Sequence, residues 1–306
     1  MIPVRRMVIG LACAGLLAVP VPVSAAVPVA AGTGVVPSLA RNVVAYYDFE
    51  HPGRGGAVER DQGRSRTDLW LVNGAPRVRD GFRHALQTGQ NSAVASNDDW
   101  KAGVYSPTGV PSLRAFSAAR EVTVMGWFKT TGVNPSPNTV TADPADRYNA
   151  VGLAGVLTGD SDGHAVRALL EVIDVGGELR VVALGRRVDG GASQTFAASA
   201  PWQEVLPPGE WVHLAATFDF DTGEMALYRD GRALDGFYTV TGDPWQLAGD
   251  PEPDVTTATS PRGIKIGGSF PQNTVERNPC NCRMDNLLFL NRAATPKEIR
   301  QQYRRH

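Results

Sequence analysis

Residues 209–231 read GEWVHLAATFDFDTGEMALYRDG. A strand-like run over 211–218 ends in a turn at 219–223, and a second run over 224–228 ends at Arg229-Asp230-Gly231. Asp-Gly between alternating apolar runs predicts a two-residue hairpin turn, because both of its central residues need positive φ. The stretch therefore predicts a β-meander of short antiparallel strands.

The same pattern extends along the chain. Strands are predicted at 42–49, within 58–76, at 85–96 and at 121–130, where Val122, Val124 and Phe128 alternate with Thr123, Met125 and Trp127. More follow at 151–158, 167–173 and 178–184, the last two joined by Gly176-Gly177, then at 231–240, 264–267 and 283–290. Residues 131–149, 190–208 and 241–262 read as long loops, beyond the ~12–15 residues at which loops usually carry function or are disordered. The chain closes on a predicted short helix. Thr295 stands at its N-cap, Pro296 at the first helical position and Glu298 two residues on, completing a capping box. Ile299 and Tyr303, four apart, share one face of that helix.

Three segments carry a family resemblance. Trp211, an apolar strand, Asp-x-x-Thr-Gly at 219–223 and Leu-Tyr-x-Asp-Gly at 227–231 form the first. The second is Asp61-x-Gly63 followed by Leu69-x-Leu71 and Asn73-Gly74-Ala75. The third is the ending MDNLLFLNRAATPKEIRQQY, residues 284–303. Together they resemble bacterial laminin-G-like domains of the concanavalin A-like, jelly-roll type. The resemblance implies an all-β fold, a two-sheet antiparallel jelly-roll sandwich with a short C-terminal helix, covering residues 42–306. It also implies that the first and last strands are neighbours.

The N-terminus predicts export. Arg5 and Arg6 precede an apolar run at 7–19, and Val23-Ser24-Ala25-Ala26 offers small residues for cleavage, so residues 1–25 are expected to be a signal peptide. The run is shorter than the ~20 residues a membrane span needs, and Pro20 and Pro22 follow it. Residues 26–41, rich in Ala, Val, Gly and Pro, read as a linker or disordered arm. Removing the two signal arginines takes the formal charge from −1 to −3. No basic cluster is present, which argues against nucleic acid as a partner. A secreted chain, with carbohydrate or an extracellular protein as its partner, is the expectation. Cys280 and Cys282, in the sequence Cys-Asn-Cys, lack the spacings of zinc and redox motifs; a local disulfide is the expectation in an exported chain, with an intermolecular bond as the next reading.

Catalytic patterns fail one by one. Retaining glucanases of this fold place carboxylates at i, i+2 and i+4 on one strand face. The nearest match is Glu171, Asp174 and Glu178, where the first two lie three apart and face opposite ways, and a Gly-Gly turn precedes the third. They read as a solvent-facing acid and two turn acids. His84, His164, His213, Tyr105 and Tyr148 are present, but none sits in a lyase motif. A Gly-x-Ser-x-Gly elbow and the nucleotide-binding glycine motifs are missing from the sequence.

Two kinds of binding remain. The resemblance implies a structural calcium held by Asp61 and Asp285, with Asp48 and Glu50 as weaker additions; the other reading makes Asp61 a turn residue and Asp285 a loop cap. For sugars, Trp100, Trp202 and Trp245 lie in predicted loops and are the candidate ligand-binding rings, each also able to anchor its own loop. Trp70, Trp127 and Trp211 lie in strand patterns and read as core. The leading expectation is a non-catalytic module binding a carbohydrate or an extracellular partner. The alternative is a polysaccharide-degrading enzyme, a glycoside hydrolase or polysaccharide lyase, on the same fold. A purely structural surface protein is the third.

Overall fold

The structure, a computed structural model, describes residues 34–71, 75–89, 102–103, 111–131, 150–157, 166–185, 194–239, 263–267 and 280–305. In chain order the first strands are β1 (Val43–Tyr47), β2 (Val58–Glu59), β3 (Leu69–Leu71), β4 (Arg77–Asp80), β5 (Arg83–Gln87) and β6 (Ala102–Gly103). Helix α1 (Pro111–Ser117) leads into β7 (Glu121–Thr130), β8 (Ala150–Leu157), β9 (Val166–Val175), β10 (Glu178–Gly185) and β11 (Gln194–Ala198). After α2 (Trp202–Val205) come β12 (Val212–Asp219), β13 (Met225–Arg229), β14 (Arg232–Ala233), β15 (Gly236–Tyr238), β16 (Gly263–Ile266), β17 (Cys282–Leu290) and α3 (Pro296–Tyr303).

These strands form two antiparallel sheets. One runs β14-β13-β12-β7-β17-β5-β4, with β1 also paired to β17; the other runs β15-β11-β10-β9-β8-β16-β6-β3-β2. The hairpin of residues 209–231 forms as its turn chemistry predicts. β12 pairs β13 from Leu214↔Arg229 to Phe218↔Met225. Asp230 and Gly231, at φ 50° and 75°, make the two-residue turn into β14. The first and last strands are neighbours, Tyr46 facing Leu288 and Tyr47 facing Leu287.

Alternation fills the space between the sheets. Tyr47, Phe128, Phe218, Met284 and Phe289 from one sheet meet Leu170, Val172, Val181 and Ile264 from the other, all fully or almost fully buried. The opposite face of the first sheet is half covered. There Tyr46, Met125, Tyr228 and Leu288 pack under Ile299 of α3 and under Val35, Val36 and Leu39. The capping box is present: the Glu298 amide donates to Thr295 Oγ1, and the Thr295 amide to Glu298 Oε2 at 3.0 Å. Arg292 grips the same carboxylate at 2.6 Å and holds Glu298 down to about 2.

Three local expectations change. Residues 34–41 are packed on α3, the Val36 amide donating to Gln302 Oε1 at 2.9 Å and Gln302 Nε2 to the Gly34 carbonyl at 2.7 Å. Val35, Val36 and Leu39 have apolar surface to bury, which an arm would leave wet. Within the predicted loop 190–208, β11 adds to the edge of β10, and α2 buries Trp202 and Val205. Of the strand predicted at 85–96, residues 85–87 belong to β5, the second arm of a β4–β5 hairpin whose first arm Arg-Val-Arg-Asp carries one apolar residue and no legible period; residues 90–96 lie outside the described residues.

Candidate functional site

The uncovered half of the first sheet's outer face carries a pocket, and a break in β17 makes it. β17 pairs β7 in register up to Asp285↔Trp127, then shifts before Leu288↔Met125. Asn286 sits in the bulge at φ 50°. In an unbroken strand residues 285 and 286 would face opposite sides of the sheet. The bulge turns both onto one side, a common use of bulges beside functional sites. Tyr46 Oη donates to Asn286 Oδ1 at 2.5 Å, which leaves the Asn286 amide nitrogen as the donor end.

The pocket has a volume of about 200 Å³. Asp285 and Asn286 form one wall, Trp127 and Trp211 another, and Asp80, Arg83, His84 and Ala85 of the β4–β5 hairpin the third. Trp127 is wedged by its neighbours: Tyr303 of α3 stacks on it with centroids 5.6 Å apart, and the buried His213 meets it edge-on at 5.5 Å. Lys129 lies 4.9 Å from the centre of the Trp211 ring and bonds Asp80 at 2.5 Å. Arg283 reaches the same Asp80 oxygen at 3.1 Å. Those two cations hold the Asp80 carboxyl below its ordinary range, although desolvation by burial, the largest influence, acts the other way. His84 is clamped by Glu50, which accepts from its backbone amide at 2.5 Å and lies 2.8 Å from Nδ1.

Asp285 is the electrostatic exception. Burial pushes its carboxyl up to about 8; the Asn286 amide opposes this, and Asp48 and Glu50 add to it. At neutral pH it is mostly a neutral acid, able to donate as well as accept. Its proton is taken up on folding, since the ordinary value is 3.8. Stability should therefore fall as pH rises from about 4 to 8, by ~1.4 kcal/mol per unit at most. Thermal melts across that range, in chelator, should show a declining Tm for the wild type and a flatter profile for Asp285→Asn. Parallel profiles would mean that Asp285 does not hold its proton.

The expected calcium pair does not fit a metal as the sequence placed it. Asp61 is buried, and its own chain fills both oxygens. Oδ1 accepts from the amides of Tyr46 (2.9 Å) and Gly63 (2.6 Å), and Oδ2 from Ser65 Oγ (2.5 Å) and the Thr67 amide (3.0 Å). Gly63 is glycine because a Cβ there would come 2.6 Å from Ala45 Cα and the Val44 carbonyl. Asp61 thus locks the 61–67 loop along the edge of β1, the turn-residue reading. Asp48 instead belongs to a group with His51 and Glu59, whose ligand atoms lie within 4.8 Å of one another. Asp48 Oδ1 is 2.8 Å from His51 Nδ1; Glu59 accepts from the His51 amide at 2.8 Å and from Arg77 at 2.7 Å. Two carboxylates and an imidazole offer fewer oxygens than the six to eight that calcium takes.

Of the three candidate ligand-binding tryptophans, the described residues include one. Trp202 is buried in the core, because α2 turns its ring inward, and Trp100 and Trp245 lie outside the described residues. Trp70, expected in the core, is half exposed, since its strand neighbours Leu69 and Leu71 take the inward positions. Glu171, expected at the surface, is fully buried on β9, yet points away from the inter-sheet core occupied by Leu170 and Val172. Neither of its oxygens has a hydrogen-bond partner among the described residues, and burial raises its carboxyl well above the ordinary range. His164, Tyr105 and Tyr148 lie outside the described residues.

Residues 101–300 match the family described as the concanavalin A-like lectin/glucanases superfamily. The chain belongs to this superfamily. No curated protein sequence matches the chain. Among solved structures, it is similar to Trypanosoma rangeli sialidase in complex with sialic acid, at 17% identity and a TM-score of 0.52, over 86% of this chain and 33% of that one. It is also similar to the receptor binding domain of botulinum neurotoxin C/D mosaic serotype (11% identity, TM-score 0.51, 86% and 51%) and to the binding domain of Paraclostridial Mosquitocidal Protein 1 (14%, 0.52, 86% and 52%). The chain thus spans about a third to a half of these chains, and the likeness is one of fold.

Within the superfamily fold, the pocket recruits residues that sequence reasoning passed over. Trp127 and Trp211 were assigned to the core by strand periodicity, which does not distinguish a sheet's inner face from a half-covered outer one. Asn286 was read as an ordinary strand position. The signal that could have found it is Asp-Asn inside an apolar run, the residue types that tolerate left-handed backbone.

Proposed function

We propose that the protein is a secreted, non-catalytic superfamily member that binds carbohydrate in the pocket between β5, β7 and β17. The pocket's composition carries this reading. Two indole rings stand beside a neutral carboxylic acid, a carboxamide, an imidazole and a guanidinium, the mixture of flat apolar and hydrogen-bonding surface that a sugar ring needs. That similar structures include a sialidase with bound sialic acid and a toxin's receptor binding domain supports a recognition role.

A calcium requirement and export are finer parts of the proposal. The Asp48, His51 and Glu59 group supports the first only with backbone carbonyls and waters completing the shell, since its own oxygens are too few for calcium. The apolar leader with its small-residue cleavage site supports the second. Cys280 and Cys282, with Cα atoms 5.1 Å apart, are spaced for the disulfide proposed in the exported protein.

A glycan array probed in calcium and again in chelator tests the proposal. Selective binding that weakens in chelator is expected; an array without bound glycan overturns the carbohydrate reading, and unchanged binding in chelator removes calcium from it. The intact mass of protein recovered from culture medium reads the cleavage site and, before reduction, the two missing hydrogens of the disulfide.

One observation favours a polysaccharide-degrading enzyme: Glu171 is a buried acid whose carboxyl burial raises well above its ordinary range, the environment that also raises a glycosidase's acid. Chromatography of the bound glycans after incubation separates the readings. Intact glycans fit a binding module; shortened products that vanish in Glu171→Gln would replace it.

A further inference from the structure

The tip of the β4–β5 hairpin carries Phe82, whose side chain is 98% exposed. Asp80 and Arg83 face each other across a two-residue turn, with Gly81 at φ 65° in its first position. Such a turn leaves the strands little freedom to splay. Both residues that flank the turn also line the pocket, which puts the Phe82 backbone within one residue of its lining. The hairpin is anchored on both arms. Asp80 is bonded to Lys129 of β7 and to Arg283 of β17, and His84 is held by Glu50. With the backbone held in this way, only the two side-chain torsions of Phe82 remain to be ordered when the ring meets a ligand. The pocket's volume of about 200 Å³ is below the ~300–1,000 Å³ of sites for drug-sized molecules, so it holds one small unit.

From this arrangement we infer that Phe82 is a second contact of the same site: the ligand is a saccharide of at least two units, one seated in the pocket and the next laid against the Phe82 ring. The inference rests on the carbohydrate reading of the pocket. A sugar presents a C–H face that a flat ring can cover, and hydroxyls at its edges for Arg83. The polar walls of the pocket favour this occupant over a lipid chain, which would displace water from Asp285 and Asn286 and return no hydrogen bond to either.

An array carrying each glycan as a one-, two- and three-unit ladder, probed with wild type, Phe82→Ala and Phe82→Tyr, tests it. The wild type should bind two-unit glycans about tenfold or more tighter than one-unit glycans, or about 1.4 kcal/mol. Phe82→Ala should erase that gain while leaving one-unit binding within about twofold, and Phe82→Tyr should restore it. Wild-type affinity independent of length overturns the inference but not the pocket. So does an equal loss on one and two units in Phe82→Ala. A wild type that binds no glycan removes the carbohydrate reading and this inference together. Because Phe82 packs against nothing, the variants should melt like the wild type, which circular dichroism checks.

Discussion

A chain ending at Arg283 should not fold. It would lose β17 from Met284 onward, and with it a strand paired to β1, β5 and β7 at once. Met284, Leu287, Leu288, Phe289 and Leu290 have no exposed surface, and Ile299 of the lost helix is equally buried. At ~1.5–3 kcal/mol for each large apolar side chain, the loss is on the order of 10 kcal/mol, as large as the whole stability of an ordinary domain. The truncated protein should show no cooperative thermal transition by circular dichroism, and should bind hydrophobic dye. An undiminished cooperative melt would remove β17 from the centre of the sheet.

The second large effect belongs to Asp61. Alanine there would strip the acceptor from the amides of Tyr46, Gly63 and Thr67 and from the Ser65 hydroxyl. Each buried donor left unmet costs ~1–3 kcal/mol, part of it recovered where the loop opens to water. A loss of roughly 4 kcal/mol is expected, which is ~8–16 °C in Tm for a domain of this size. The loss should be the same in calcium and in chelator, because the carboxylate serves the chain itself. If chelator alone lowers the wild-type Tm as far as Asp61→Ala does, and the mutant no longer responds to chelator, Asp61 is a metal ligand after all.

How far the sequence carries is visible in these residues. Asp230-Gly231 needs positive φ at two successive positions, a local demand, so the hairpin could be read directly. The capping box of α3 is equally local. The adjacency of β1 and β17, 240 residues apart, entered through resemblance rather than pattern. The pocket was not legible, because it depends on which strands end up uncovered and on a bulge at Asn286 that reverses the rule of alternation. Trp211 looked like core because a strand pattern marks one face as buried without saying what lies over the other. Glu171 looked like a surface acid because charge is usually solvated; its burial is set by tertiary packing. At Asp61 the two readings were not separable for a related reason: an aspartate that organises a loop and one that binds a cation share the same surroundings in sequence, and the bonds from Tyr46, Gly63, Ser65 and Thr67 favour the first.

The central claim is that the pocket is the site where a saccharide binds. Trp211 lines it, stands just outside β12 and is only partly buried, so Trp211→Ala should leave the fold intact while removing a wall. Isothermal titration of wild type and Trp211→Ala, each with the strongest glycan from the array, tests the claim most directly. Wild-type binding should be saturable and should weaken at least tenfold in the variant, with both proteins melting within a few degrees of each other. Equal affinity in the two proteins would place saccharide binding elsewhere on the molecule and contradict the account.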